Sequence, residues 1–543
     1  MATRTFALAL ILFVALAAAL RLPQLSSRPI HGDEAVHAVK CWDLYATGRY
    51  VYDPVEFHGP TLYYATLPIL RLSGARDFAS TTAAIYRLAP ALAGVGLVLL
   101  VWLLADGVGR SAALWAGLLT AVSPALVYYS RYYIQETLLV FFAALAIGCG
   151  WRYGVSRRAG WAIATGAALG LMHATKETAI IAWGCMAAGL AAAWFPMRLR
   201  APAGPAALRQ AGLALGAAVL TSVLLFSAMF TNARGPLDSL RAYGVYVSRA
   251  GGAGAAGDHA HPWDAYLRWF GYWQRDRGPV FSEAGILLLA LVGIAAAARG
   301  VEPDPRRRAL ARFLAVYGCL MPVAYSALPY KTPWSFIGAW HGLVLLAGLG
   351  AARLTVRAAD VAGALARPRN EQTRAGLARA TLGAAALVAC ALVAWNLAAQ
   401  AQRAATRFAS DPRNPYVYAH PLHGVERMTH WIERLAAASP EGRGTTIQVI
   451  GGNPWPLPWY LRGFSRVGYW DDPPGQLDAP IIIDCGADDR LGARLGDAYQ
   501  ASHYGLRPDA VLTVYCERRL YERFARAATG AAGGATTREA DEP

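Results

Sequence analysis

Apolar runs of about twenty residues recur along the first four hundred positions, separated by short connections rich in arginine or tyrosine. A helix that crosses a bilayer needs about 20 mostly apolar residues. That length predicts eleven spans, over 5–21, 88–105, 111–129, 135–153, 160–173, 178–196, 211–230, 283–298, 309–327, 335–352 and 379–398. The fifth is short, and Tyr317, Pro322 and Tyr325 make the ninth unusually polar. The first run, Phe6 to Leu20, resembles a signal peptide in offering small residues for cleavage, but the many spans behind it favour a first transmembrane helix. Beyond position 398 the pattern changes. "TTIQVIGG" and "APIIIDCG" read as buried strands, "GVERMTHWIERLAAA" and "RRLYERFARAA" as amphipathic helices. Strands alternating with helices predict a small α/β domain.

The expected architecture is a polytopic α-helical membrane protein of about 11 transmembrane helices over 1–398, followed by an extracytoplasmic α/β domain over 399–543. Two long outer loops cover 22–87 and 231–282, and the polar tail from about 529 is expected to be disordered.

Composition agrees with a membrane protein. Of 543 residues 55% are hydrophobic and 16% charged, where soluble domains carry about 25% charged residues. A net charge of +16 suggests nucleic acid only where the basic groups cluster on a folded surface. Here the arginines stand between apolar runs and set orientation instead. With the N-terminus inside, the inner connections hold Arg152, Arg157 and Arg158, then Arg198, Arg200 and Arg209, then "RGVEPDPRRRALAR", then the arginines from Arg353 to Arg379. The short outer connections "YYSRYYIQET", "MHATKET" and "LPYKTPW" carry one basic residue each, so the positive-inside rule holds throughout. Cys149, Cys185, Cys319 and Cys390 fall within apolar runs, while spacing leaves a Cys485–Cys516 disulfide open.

Only three of the 51 basic residues are lysines, Lys40, Lys176 and Lys331. In a chain so biased towards arginine, a surviving ammonium points to a place where a compact charge matters. All three fall on the outer face, among the ionisable residues. In "HGDEAVHAVKCWDLYATGRY" a helix opened by Asp33 puts Glu34, His37 and Cys41 on one face, with Lys40 one turn beyond His37. "VEFHGPTLYYATLPI" follows, carrying His58. Arg131 and Glu136 stand at the outer start of the fourth span, Lys176 and Glu177 at that of the sixth, and Tyr330, Lys331 and Trp334 between the ninth and tenth. Each has an ordinary reading as helix cap, solvated pair or aromatic belt. Ionisable groups gathered at one depth of a membrane protein are costly and commonly functional. No acid or base stands out deep within a span, which disfavours a transport route. "DEAVH" is also one histidine short of a zinc-hydrolase motif, and Asp33, Glu34 and His37 remain candidates for a divalent metal. "RAGGAGAAGD" lacks the lysine of a phosphate-binding loop.

The first outer loop, with its Asp-Glu pair and a Pro-Leu-Tyr-Tyr-like segment entering the membrane, resembles the GT-C superfamily of polyprenyl-phosphate-sugar-dependent glycosyltransferases. Protein O-mannosyltransferases and lipid A aminoarabinose transferases begin similarly. Asp33–Glu34, "KET", "YKTPW" and "NPWPLPWYLRGFSRVGYW" more closely resemble a prokaryotic family described as flippase-activity-associated in glycosylation pathways. The resemblance implies sugar transfer from a polyprenyl-phosphate donor to a protein, glycan or lipid acceptor, outside the plasma (inner) membrane. It casts Asp33 as catalytic base. From the residues themselves, Glu34 or Glu136 is the second choice, and Lys331, Lys176, Arg131 and Tyr330 would hold the donor phosphate, supported by His37, Lys40, His58, Glu177 and Trp334. His58–Gly59 stands where the aminoarabinose transferases carry a lysine. A non-catalytic flippase-associated component and an oligosaccharyltransferase are the alternative readings.

Overall fold

The computed structural model describes residues 2–56, 58–194, 204–248, 259–300, 302–365, 372–486 and 490–538. Each of the eleven apolar runs is helical. In chain order the helices are α1 (Thr3–Arg21), α2 (Gly32–Thr47) and α3 (Thr61–Ser73) in the first outer loop, α4 (Ala83–Leu100), a short α5 (Ala105–Val108), α6 (Arg110–Val122) and α7 (Pro124–Ser130). Then come α8 (Glu136–Ser156), α9 (Ala159–His173), α10 (Ala179–Trp194), α11 (Pro205–Phe226), α12 (Gly235–Ser248) in the second loop, α13 (Ala284–Ala298), α14 (Pro305–Ala327), α15 (Ile337–Leu365) and α16 (Gln372–Ala405).

The expected count of eleven spans is corrected. Among the described residues seven helices are long and apolar enough to cross a bilayer, or eight if α6 and α7, bent by 58°, are one span. Pro124 at the start of α7 explains that bend, since proline is compatible with a first helical turn and not with an interior one. The helices that fall short are α9, α10 and α13, of 15, 16 and 15 residues. At 1.5 Å per residue they reach about 23 Å against a hydrocarbon core of about 30 Å. The shortfall of α9 and α10 lies in their outer connection, where Ala174–Glu177 leaves the helical path and is buried with its polar side chains. Fully buried Glu283 occupies the corresponding place at the start of α13.

Small residues let helices approach backbone to backbone. A Cβ added at Gly166 would lie 1.9 Å from the carbonyl oxygen of Ala214, and one at Gly170 would lie 2.4 Å from that of Ala218. This four-residue glycine spacing seats α9 on α11.

The C-terminal part is an α/β domain, as expected. Its helices are α17 (Gly424–Ala437), the short α18 (Leu457–Tyr460) and α19 (Leu491–Leu495), and α20 (Arg518–Arg538). Its strands β1 (Ile447–Ile450), β2 (Val467–Trp470), β3 (Ile481–Asp484), β4 (Tyr499–Arg507) and β5 (Ala510–Glu517) are ordered β2-β1-β3-β5-β4. β1 runs parallel to β2 and β3, and the last three strands are antiparallel. β1 and β3 are buried at every residue, which is why they read as unbroken apolar runs. Val425, Met428, Ile432 and Leu435 of α17 pack on one face of the sheet. Cys485 and Cys516 are both free. Cys516 pairs with Ile481, at the opposite end of β3 from Cys485, so about 13 Å of strand separates them. α20 continues to Arg538, and 539–543 and the glycine-rich 249–258 lie outside the described residues.

Candidate active site

The first outer loop is organised around Glu34. His31 caps α2, its Nδ1 accepting from the Asp33 N–H at 3.0 Å while the Glu34 carboxylate accepts from the His31 N–H at 3.0 Å, a reciprocal capping box. Glu34 is fully buried and also accepts from Arg28 Nη2 at 3.0 Å, Arg87 Nε and Nη2 at 2.7 and 2.6 Å, and the Tyr133 N–H at 2.9 Å. Burial alone would raise its pKa. The two guanidinium groups overcome that and hold it at about 2. Arg87 also donates to the carbonyls of Leu25, Arg28 and Pro29, so one arginine ties the loop to the start of α4.

Asp33, the residue before Glu34, is not enclosed in this way. Its side chain is 49% exposed, with His31 Nδ1 3.8 Å away. Of the pair, one carboxylate is built into the loop and the other faces outward from the first turn of α2, where the helix dipole favours a negative charge.

His37 is buried, with Nδ1 2.9 Å from the Tyr63 hydroxyl. Burial pushes its pKa down to about 3, with His58 and Lys176 adding and Asp33 opposing. Lys40 lies one turn on, within electrostatic reach of Asp43. His58 Nδ1 meets Glu177 Oε2 at 2.7 Å, and the Tyr52 hydroxyl donates to Glu177 Oε1 at 2.8 Å. Burial opposes ionisation of Glu177, and His58 outweighs it, leaving the carboxyl below its ordinary range. The "KET" connection is thereby pinned to the first loop. Lys176 forms a buried ion pair with Glu136, in the wall of a cavity of about 20 Å³ that Thr178, Tyr317, Tyr325 and Ser335 also line. That space admits one water.

"YKTPW" closes the other side. Lys331 is 1% exposed, its Nζ donating to the carbonyls of Leu328 and, at 3.2 Å, His261. Burial lowers its pKa. Among the described residues no carboxylate lies within ion-pair distance of it. Trp334 packs edge-on to His31, Tyr132 and Tyr418, with ring centroids 5.9, 5.7 and 5.5 Å away. Tyr330 is partly exposed against His259 at 4.8 Å. Arg131 donates to the carbonyls of Arg21, Pro23 and Gln24, and so fixes the exit of α1. The four outer connections thus converge on one face, as the sequence suggested.

Among the described residues no group of three His, Cys, Asp or Glu side chains is placed to hold a metal. Glu34 is saturated by five donors, and His37 Nδ1 is engaged by Tyr63. The zinc-hydrolase reading of "DEAVH" therefore lacks its ligands.

Sequence reasoning missed several groups. Arg28 and Arg87 hold Glu34, and Arg87 stands one residue before the predicted second span. Glu283 opens the eighth predicted run, and receives hydrogen bonds from Ser123 at 2.5 Å, Tyr416 at 2.7 Å, and Trp340 and the Ala125 N–H at 3.0 Å each. His420 lies 3.0 Å from the Tyr128 hydroxyl and 5.0 Å, ring to ring, from His31. His341 is buried within α15, so this span carries an ionisable side chain away from its ends. In the tail, "PWPLPWYLRGF" is spent largely on contacts with the first loop. Trp459 packs on Phe78 and Tyr86, Arg462 stacks on Trp459 and donates to the Thr81 carbonyl, and the Tyr460 hydroxyl accepts from the Ile30 N–H at 3.0 Å.

A family model for dolichyl-phosphate-mannose-protein mannosyltransferases matches residues 61–203. No curated protein gives a match. Among solved structures, ArnT from Cupriavidus metallidurans bound to undecaprenyl phosphate aligns with a TM-score of 0.62 at 16% identity, over 93% of this chain and 97% of that one. The same protein in the apo state gives 0.55 at 17%, over 94% and 98%. The apo oligosaccharyltransferase of Archaeoglobus fulgidus gives 0.55 at 13%, over 95% of this chain and 77% of that one. At these identities the likeness is one of fold, and it runs through the membrane helices and the C-terminal domain together. The chain shares the fold of these solved structures.

Proposed function

We propose that this protein is a membrane glycosyltransferase that moves a sugar from a polyprenyl-phosphate donor to an acceptor hydroxyl at the outer face, with Asp33 as general base. The observation that carries this reading is the division of labour between Asp33 and Glu34. Glu34 is locked among two arginines and two backbone amides, while Asp33 presents a half-exposed carboxylate beside it. Asp33 takes the proton of the acceptor hydroxyl as its oxygen attacks the anomeric carbon. The bond from that carbon to the phosphate oxygen breaks, and its electron pair leaves with the polyprenyl phosphate. General-base help of this kind is worth about a hundred- to ten-thousandfold.

The leaving phosphate needs positive charge that no neighbouring carboxylate has already neutralised. Lys331 fits best, because its ammonium has three N–H groups and two serve carbonyls. Lys176 is compensated by Glu136 and Arg131 is committed to backbone carbonyls, so both act as supports of the cleft. The plasma membrane is the proposed location, with the C-terminal domain outside.

The test is polyprenyl-phosphate release by the protein in nanodiscs, with a panel of polyprenyl-phosphate sugars and candidate acceptors, comparing wild type with Asp33→Asn. Release lost in Asp33→Asn, in a protein that melts normally, supports the reading. Donor binding without release by either protein transfers the assignment to a non-catalytic partner of a lipid-linked-sugar flippase.

A further inference from the structure

A second polar site lies at the opposite end of α1. The nineteen residues from Thr3 to Arg21 rise about 28 Å, the thickness of a hydrocarbon core. Around the Thr3 end opens a cavity of about 620 Å³ whose walls include Arg110, Arg152 and Arg307. These arginines are far apart in sequence and sit on α6, α8 and α14, so the fold gathers them. Asp106 faces the same cavity and is engaged by Arg152 at 2.7 Å and by the Trp151 indole at 2.9 Å. Three guanidinium groups against one carboxylate leave the cavity with a formal charge of +2. Thr3, which accepts from Arg110 Nη2 at 3.0 Å, and Ser111 also line it, together with Phe6 and Trp102, the latter 59% exposed on the last turns of the second span. A tryptophan so placed marks the depth of the lipid headgroups.

We propose that this cavity binds the headgroup of an anionic glycerophospholipid from the leaflet opposite the candidate active site. The phosphate meets Arg110 and Arg307, and the glycerol and first acyl carbons lie along Phe6 and Trp102. The volume falls within the usual range for small-ligand sites, about 300–1,000 Å³, and basic pockets between membrane helices on this side are suited to such headgroups. The bound lipid would join α1, α6 and α14, which meet here at their exposed ends. The inference stands whether or not the protein is a transferase.

Native mass spectrometry of the delipidated full chain tests it, with dioleoyl-phosphatidylglycerol, dioleoyl-phosphatidylcholine and undecaprenyl phosphate added in separate arms. Phosphatidylglycerol should be retained and phosphatidylcholine should not. Arg110→Gln with Arg307→Gln should weaken retention about thirtyfold, a factor of about five for each arginine. Lysine at both positions should restore most of it. If the double glutamine variant does not fold, Arg307→Gln alone is read against the fivefold expectation, since Arg307 is exposed. Equal retention of phosphatidylcholine, or unchanged binding in the glutamine variants, overturns the proposal. Preferential uptake of undecaprenyl phosphate, lost with the same arginines, shows that a different lipid occupies the site and equally overturns it.

Discussion

Replacing Glu34 by glutamine keeps the side chain's shape and removes one buried charge. The carboxylate is fully buried and receives hydrogen bonds from Arg28, from two nitrogens of Arg87, and from the N–H groups of His31 and Tyr133. An amide accepts through one oxygen only, and turns its own N–H donors towards the guanidinium groups that the carboxylate had paired. Two magnitudes bear on the cost. The pKa falls from 4.5 to about 2, which at about 1.4 kcal/mol per unit is about 3 kcal/mol. Removing one partner from a buried pair costs about 3–5 kcal/mol, because the other charge is left uncompensated. The two agree, so Glu34→Gln should lose about 3–5 kcal/mol, a large part of the 5–15 kcal/mol typical of a folded protein. Thermal melting and folded yield in nanodiscs read this out, beside Asp33→Asn, which should melt as wild type does. The pH dependence adds a second check. The folded pKa of Glu34 lies below its unfolded value, so its contribution is complete above about pH 4.5 and is lost as pH falls towards 2. Wild type should lose stability across that window, and Glu34→Gln should lack this component. A glutamine variant that melts with wild type and responds to acid as wild type does would refute the account of the loop.

Lys331→Arg keeps the charge but must fit a larger planar group where Nζ now sits on two carbonyls. Turnover is expected to fall at least tenfold with little change in melting temperature, and steady-state polyprenyl-phosphate release measures it. Tyr460→Phe removes the hydroxyl that accepts the Ile30 N–H. It should cost about 1 kcal/mol and speed hydrogen exchange at the Ile30 amide, read by mass spectrometry. Gly166→Val puts a branched side chain where a Cβ already lies 1.9 Å from the Ala214 carbonyl oxygen. Pushing α9 off α11 should cost at least about 1–3 kcal/mol, visible as a lower melting temperature.

The helices were legible because an apolar run of span length has few alternatives to a membrane helix. Their number was not. Apolar runs such as 160–173 and 283–298 form helices of only 15 residues, too short to cross a hydrocarbon core unbroken, and apolar composition alone does not separate these from full spans. The alternation of apolar runs placed Asp33, His58, Glu136, Lys176 and Lys331 in connections at one end of the helices, where the structure also gathers them. Pairing was not legible, because it depends on contacts between distant residues. Nothing near Glu34 announces that Arg87, 53 positions on, completes its hydrogen bonding. Nor does anything near Glu283 announce Tyr416, 133 positions away. β1 and β3 were readable as continuous apolar runs. β2, β4 and β5, half exposed and carrying polar residues, did not stand out.

The Tyr460–Ile30 hydrogen bond joins residues 430 positions apart. At about 5–20 residues per second of synthesis, Ile30 is made about 20–90 s before its partner. During that interval every partner of Glu34, the last being Tyr133, has been made, while the tail residues that contact the loop have not. The first loop therefore receives its last contacts from the part of the chain made last. A chain that stops short of the tail has its helices but lacks the Tyr460, Trp459 and Arg462 contacts that hold the first loop from above.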